Sequence, residues 1–356
     1  LWVSEMGRGA GEIRMTAFAA RLSALAERAP LPDALIGLGI NRLVARTKRA
    51  LDQAPPSGAS FAAGMAAFPI AAHASTANAQ HYEIPAEFFA LFLGERRKYS
   101  SCLYPTGRET LDQAELHALE ETIAHAGLAD GQEILELGCG WGSLSLFMAA
   151  RFPGARIVAV SNSGSQRQYI EAEAAARGLA NLRVITADMN EFSTDARFDR
   201  VVSVEMFEHM ANWRALLTRV RGWLKPEGRL FIHVFAHERQ PYRFDHEDEA
   251  DWIAQHFFTG GIMPSHDLIT QFPDLFTLER DWRWNGRHYA RTAKHWLQNY
   301  DARIDEVRKI LAATYGAEAP LWERRWRLFF LATAGLFGHA SGKPWAVSHY
   351  LLAPSA

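Results

Sequence analysis

Cysteine is scarce in this chain of 356 residues: Cys102 and Cys139 are the only two, and they share no paired spacing. That usage excludes a disulfide framework and a cysteine-based zinc site. It suits a reducing compartment, so a cytoplasmic protein without a metal is expected. Excess charge is also missing. The 38 basic and 40 acidic residues leave −2, which gives no general affinity for nucleic acid. No apolar run reaches the ~20 residues of a membrane span. Residues 61–79 imitate the apolar core of a signal peptide, but they lie too deep in the chain to be one. The 14 histidines are scattered, and none stands in the HExxH spacing of a metal site. The chain begins with Leu1, and Met15 offers an alternative start that would leave residues 1–14 outside the native protein.

What is present centres on one turn. The apolar run Ile134-Leu135-Glu136-Leu137 leads into Gly138, Gly140 and Gly142, and a helical pattern follows from Leu144. Glycines between strand and helix let a ligand approach backbone N–H groups. A dinucleotide site wants GxGxxG with an acid about 20 residues on. Here the acid, Glu136, sits two positions before the first glycine. A carboxylate there suits the cationic amino group of S-adenosyl-L-methionine (SAM) better than a pyrophosphate.

The chain around this turn alternates. Strands are expected at 132–137, 156–160, 182–186, 199–204 and 229–235, with helices at 143–151, 164–177 and 212–224. This rhythm predicts an α/β, doubly wound, Rossmann-like sheet whose ligand lies at the C-terminal strand ends. Residues 16–53 read as helices with scattered Arg and Lys, and 54–79 as an Ala-, Pro- and Gly-rich linker. The division expected is therefore a helical extension and linker over 1–79 and one main domain over 80–356. Residues 236–285 break the rhythm and read as an inserted lid. Residues 322–352 read as helix and then strand.

Each strand end carries chemistry. Ser161, Asn162 and Gln166 offer neutral hydrogen bonds to a ribose, or cap the next helix. Asp188 is placed to accept from an adenine amino group, with Met189 against the ring. The fourth strand ends in Glu205, Glu208 and His209. Two carboxylates and an imidazole so close together are costly to desolvate without a task.

With these residues the chain resembles the cyclopropane-fatty-acyl-phospholipid synthase superfamily of SAM-dependent enzymes. His81-Tyr82-Glu83, Tyr99-Ser100-Ser101-Cys102, ELGCGWGS, Ser161 to Gln166, FEH at 207–209 and His233 carry the resemblance. EMFEHM (205–210), FFTGGIMPS (257–265), HYARTAKHW (288–296), Trp326 to Phe330, LFGH (336–339) and WAVSHYLL (345–352) resemble its coclaurine-type N-methyltransferase branch. The resemblance implies a class I SAM-dependent methyltransferase fold, with Tyr82, Tyr99 and Ser100 closing the SAM site. It also implies that Glu205, Glu208 and His209 act on a substrate amine, and that Trp326 and Phe329 hold an aromatic substrate. The cyclopropane synthases use a bound bicarbonate as base, and its ligands match Cys102, Glu208, His233 and Tyr289. Two departures stand out: Glu205 replaces a small residue, and YSSCLY is one serine longer than YSCAY.

N-methylation of a small apolar or aromatic amine is therefore expected, with Glu208 and His209 as the working base. The alternative is transfer of the SAM methyl carbon to an unsaturated acyl chain, with bicarbonate and contact with a membrane surface. A small-molecule amine or a lipid is the expected partner. The sequence leaves the oligomeric state open, a dimer included.

Overall fold

The structure, a computed structural model, describes residues 27, 29, 31–72, 84–244 and 251–355. Tyr82 and its two neighbours, and residues 1–26, lie outside the described residues. Among the described residues, four helices precede the sheet: α1 (Asp33–Gln53), α2 (Gly58–Gly64), α3 (Ala86–Phe92) and α4 (Leu111–Ala126). α4 begins at a reciprocal cap. The Thr110 hydroxyl accepts from the Gln113 N–H at 3.3 Å, and the Gln113 side chain accepts from the Thr110 N–H at 2.9 Å. Gly127, in the left-handed region, ends it.

The alternating part runs β1 (Glu133–Leu137), α5 (Ser143–Arg151), β2 (Arg156–Ser161), α6 (Gly164–Ala176), β3 (Leu182–Thr186), β4 (Phe198–Val204), α7 (Trp213–Trp223) and β5 (Leu224–His237). After it come β6 (Tyr242–Arg243), α8 (Trp252–His256), β7 (Ile262–Met263) and β8 (Phe276–Trp284). The chain continues through α9 (Arg287–Ala302), α10 (Ile304–Tyr315), α11 (Ala319–Gly338) and β9 (Trp345–Pro354). The main sheet has the order β3-β2-β1-β4-β5-β9-β8. β1 to β5 are parallel, and β9 lies antiparallel between β5 and β8.

Both faces of the sheet are covered, which is why its strands read as continuous apolar runs. Leu135, Val201, Leu230 and Ile232 pack with Leu216, Leu217 and Val220 of α7. Their neighbours Ile134, Val202 and Phe231 pack on the other face with Leu119 of α4 and Met148 of α5. Fully burying one such side chain is worth about 1.5–3 kcal/mol.

Two boundaries differ from the sequence expectation. The 54–79 stretch is not a bare linker: α2 and a short 3₁₀ turn (Met65–Ala67) occupy its first half, and Met65, Ile70 and Ala71 are buried against the α7 side of the core. Asn190 grips Ala71 through both its N–H and its C=O, at 3.0 and 2.9 Å. The small residues hid a helix whose inward positions need only Ala and Met.

The 236–285 segment is not all insertion either. β8 closes the sheet at its edge, with Arg280, Asp281, Trp282, Arg283 and Trp284 paired to β9. It faces solvent along much of its length, so charged residues mask the strand pattern.

Candidate active site

The C-terminal ends of β1, β2 and β4, with the loop after β3, converge on a cavity of about 200 Å³. The Arg97–Ser100 loop, Phe258 and Thr259 from the insertion, Tyr289 of α9 and Phe329 of α11 complete its wall. Of the residues singled out by sequence, the cavity brings together Tyr99, Ser100, Glu136, Gly138, Gly140, Ser161, Asn162, Gln166, Asp188, Met189, Glu205, Glu208, His209, Tyr289 and Phe329.

The three glycines of the turn all have positive φ, at 78°, 52° and 78°, yet they do different things. A Cβ at Gly138 would meet Met206 at 2.6 Å, and one at Gly142 would meet Ile170 at 2.6 Å. Those two permit close contact between parts of the fold, and Gly142 does not line the cavity. Only Gly140 has nothing within 4 Å of its absent side chain. It leaves an open approach to the backbone.

Glu136 lies at the base of the cavity and is fully buried. Its carboxylate accepts from the Ser145 hydroxyl. Burial nevertheless raises its pKa from 4.5 to about 8, so an arriving cation has a strong effect on its charge. The Ser161 hydroxyl donates to Gln166 at 2.6 Å and accepts from the Ser163 N–H at 3.0 Å. Asp188 caps its own loop by accepting from the Asn190 N–H at 2.8 Å. Ser143 Oγ and Trp141 Nε1, both buried on the cavity wall, have no hydrogen-bond partner among the described residues. Those orphaned groups, the buried acid and the open glycine together fit an adenosyl amino acid.

The acidic half of the cavity is built around Glu205, which holds φ at 48°. Its Oε1 accepts from the Ser101 backbone N–H at 2.8 Å and lies 3.2 Å from His233 Nε2. Tyr289 donates its hydroxyl to Oε2 at 2.7 Å. Burial raises the Glu205 pKa, and the buried cation of Lys98 works against that rise. Glu208 is also buried, but neither of its oxygens has a hydrogen-bond partner among the described residues. Burial, then the charge of Glu205, pushes it well above the carboxylate range. His233 is driven well below its usual value, first by burial and then by Lys98.

Several expected roles are not supported by position. Glu208 and His209 sit on a 3₁₀ turn (Phe207–His209). At about three residues per turn, neighbours on it point some 120° apart. No hydrogen bond joins the two side chains: neither Glu208 oxygen has a hydrogen-bond partner among the described residues, and His209 stacks on Phe258 at 5.0 Å. Trp326 does not reach the cavity. It is sealed among Phe88, Phe89, Phe92, Phe257 and Phe330. Cys102 also stays behind the wall, its Sγ donating to the Ser100 carbonyl at 3.7 Å. His233 reaches the cavity only through Glu205.

Sequence reading missed Lys98, whose ammonium donates to Ser100 Oγ and to the Ser101 carbonyl. A lysine just before the quoted Tyr99-Ser100 segment was the available signal. Among the described residues, no cluster of three or more His, Cys, Asp or Glu could hold a metal ion. Nor is any described helix long and apolar enough to cross a membrane.

A doubly wound sheet with an open glycine turn and a buried acid at its first strand end, beside a desolvated carboxyl pair, defines a SAM-dependent methyltransferase. The chain belongs to the mycolic acid cyclopropane synthetase family, which it matches over residues 71–341. It is 34% identical to (S)-coclaurine N-methyltransferase of Thalictrum flavum subsp. glaucum, covering 79% of this chain and 80% of that one. Cyclopropane-fatty-acyl-phospholipid synthase of Escherichia coli (strain K12) is 27% identical over 75% of this chain and 66% of its own. The crystal structure of a coclaurine N-methyltransferase bound to N-methylheliamine and SAH superposes with a TM-score of 0.89. It is 32% identical and covers 94% of this chain and 99% of that one.

Proposed function

We propose that the chain transfers the methyl group of SAM to the nitrogen of an apolar, aromatic amine, with Glu205 as the base. The likeness to coclaurine and pavine N-methyltransferases supports the acceptor class. One observation carries the base: the Glu205 carboxylate occupies the site between Ser101 N–H, His233 and Tyr289. Two of those residues belong to the set that the synthase resemblance assigned to bicarbonate. The chain thus supplies from one of its own side chains the anion that the synthases borrow.

When bound, SAM supplies a methyl carbon already activated by its sulfonium charge. Glu136, Gly140, Ser143, Ser161, Gln166, Asp188 and Met189 would hold it. The remaining work is alignment, exclusion of water and disposal of one proton. An amine that carries an aromatic group but has its nitrogen on aliphatic carbon arrives mainly as ammonium near neutral pH, and that nitrogen has no free lone pair. Glu205 and Glu208 form a carboxyl pair in a dry cavity, and mutual repulsion disfavours two charges there. Lys98, Ser101 and Tyr289 favour the charge on Glu205, and burial keeps Glu208 neutral. Glu205 accordingly takes the ammonium proton, and Glu208 accepts a hydrogen bond from the nitrogen through its carbonyl oxygen. Phe329 and Phe258 form the apolar wall, and His209, stacked on Phe258, borders the carboxyl pair.

The test incubates the protein and SAM with a panel of aromatic amines and with unsaturated phospholipid vesicles, in bicarbonate-free buffer. A gain of one methyl on an amine, with no change on readdition of bicarbonate, is expected. A gain of one methylene on lipid, dependent on bicarbonate, would replace this reading with acyl-chain modification at a membrane surface.

A further inference from the structure

We propose that Glu205, His233, His349, His125 and Glu121 form a proton relay that carries the amine's proton from the closed cavity to water beside α4. The proposal rests on the amine-methylating reading, and beyond Glu205 it concerns residues that the chemistry at the nitrogen does not touch.

Three imidazoles stand in series, and each uses both ring nitrogens. His233 Nε2 faces Glu205 Oε1 at 3.2 Å, and His233 Nδ1 faces His349 Nε2 at 2.8 Å. His349 Nδ1 faces His125 Nδ1 at 2.8 Å. His125 Nε2 faces Glu121 Oε1 at 3.2 Å, and the Glu121 side chain is 43% exposed. The sequence could not show this series, because its members come from β5, β9 and α4. Sheet register makes the first link: His233 and His349 are direct partners across the antiparallel β5–β9 pair.

The surroundings suit proton passage more than structural filling. A single buried histidine is easily satisfied by a backbone carbonyl, whereas here the middle ring meets only imidazoles and the outer two each meet one imidazole and one carboxylate. Their walls are aromatic: Trp282 stacks on His125 at 3.8 Å, and Trp284 lies 4.3 Å from His349. The charged or titratable groups around the series are Lys98, Glu208, His209 and Tyr289 about Glu205 at the inner end and Glu121 at the outer end. Burial, with Lys98 and the neighbouring rings, holds His233 and His349 neutral. A neutral ring has one N–H and one lone pair, which is what hand-to-hand transfer needs.

The step balances. Protonated Glu205 gives its proton to His233 Nε2, and the Nδ1 proton of His233 passes to His349 Nε2. The Nδ1 proton of His349 passes to His125 Nδ1, and the Nε2 proton of His125 leaves to Glu121 and water. Each ring is left in the opposite tautomer. Reverse transfer into the opened, water-filled cavity after product release restores the start. The relay therefore clears a proton while substrate and cofactor keep the cavity dry.

The experiment measures turnover, SAM affinity and proton release (by a pH indicator in single turnover) for His349→Phe, His125→Ala and Glu205→Gln. SAM affinity reports folding. The two histidine variants should keep SAM affinity and KM and lose kcat by about tenfold or more. Their proton release should lag behind methyl transfer, and the loss should shrink as pH approaches the amine's own pKa. His125 is close to the surface, so imidazole in the buffer should restore His125→Ala. Unchanged kcat and pH profile in both histidine variants, with turnover abolished in Glu205→Gln, would overturn the relay and leave Glu205 as base. Full turnover in Glu205→Gln would overturn the base assignment and the relay together. A loss that is the same at every pH and unmoved by imidazole would reduce the histidines to filling, and so also overturn the relay.

Discussion

The backbone N–H of Ser101 lies 2.8 Å from Glu205 Oε1, and Glu205 holds a left-handed backbone at φ 48°. A non-glycine residue in that region costs about 1–3 kcal/mol and persists only where its surroundings fix it. Here Ser101, Tyr289 and His233 fix it. The extra serine of YSSCLY and the glutamate that replaces a small residue are thus two halves of one contact.

That contact predicts independence from bicarbonate. Stripping bicarbonate should leave the native rate unchanged. Glu205→Ala should lower kcat by about 10²–10⁴-fold, the usual worth of a general base, with SAM affinity retained. Added bicarbonate should return part of the rate to Glu205→Ala by filling the vacated partners. Steady-state rates at fixed pH measure both, and a native rate that needs bicarbonate would refute the assignment.

The glycine turn predicts two separate defects. Gly140→Val would fill open space in the cavity, so calorimetry should show a large loss of SAM affinity. Gly138→Ala would drive a Cβ against Met206 at 2.6 Å, so its main effect should be a lower melting temperature. Equal SAM affinity in native protein and Gly140→Val would remove the turn from the cofactor site.

Glu136 predicts a pH dependence of known sign. Its pKa is raised in the fold from 4.5 to about 8. The native state therefore holds a proton that the unfolded chain has released, and stability falls as pH rises from about 4.5 to about 8. Glu136→Gln should flatten that decline in thermal unfolding. A cationic amino group binds the ionised form, so SAM affinity should rise over the same window in the native protein and not in Glu136→Gln. Parallel pH profiles for the two proteins would show that Glu136 does not meet the cation.

The aromatic pair separates core from cavity. Trp326→Ala should cost about 3–5 kcal/mol of stability, read by denaturant unfolding. Phe329→Ala, on the cavity wall, should mainly raise KM for an aromatic amine. A large rise in KM with little loss of stability in Trp326→Ala would return it to the substrate surface.

What the sequence made legible was local. The strand-to-helix turn after Glu136 and the parallel run from β1 to β5 appear as patterns within a few dozen residues. The carboxyl cluster at 205–208 appears within a handful. What it hid was made by distance along the chain. β8 lacks a clear apolar alternation because it is an edge strand, and α2 was masked by alanines. Trp326 looked like a substrate residue because the resemblance carries over a position in the chain, which does not tell a buried indole from one on a cavity wall. His125 and His349 carry no signal apart, since only sheet register and the docking of α4 bring their rings together.

The position of β9 bears on how the chain is made. Residues 345–354 fill the gap between β5 and β8, so β8, although synthesised earlier, has no strand to join until β9 arrives. During synthesis the apolar edge of β5 stays open, and an open edge invites pairing with another chain. Completion of the sheet therefore waits for β9. Expression yield should then depend on how fast the last strand is delivered rather than on the stability of the finished fold.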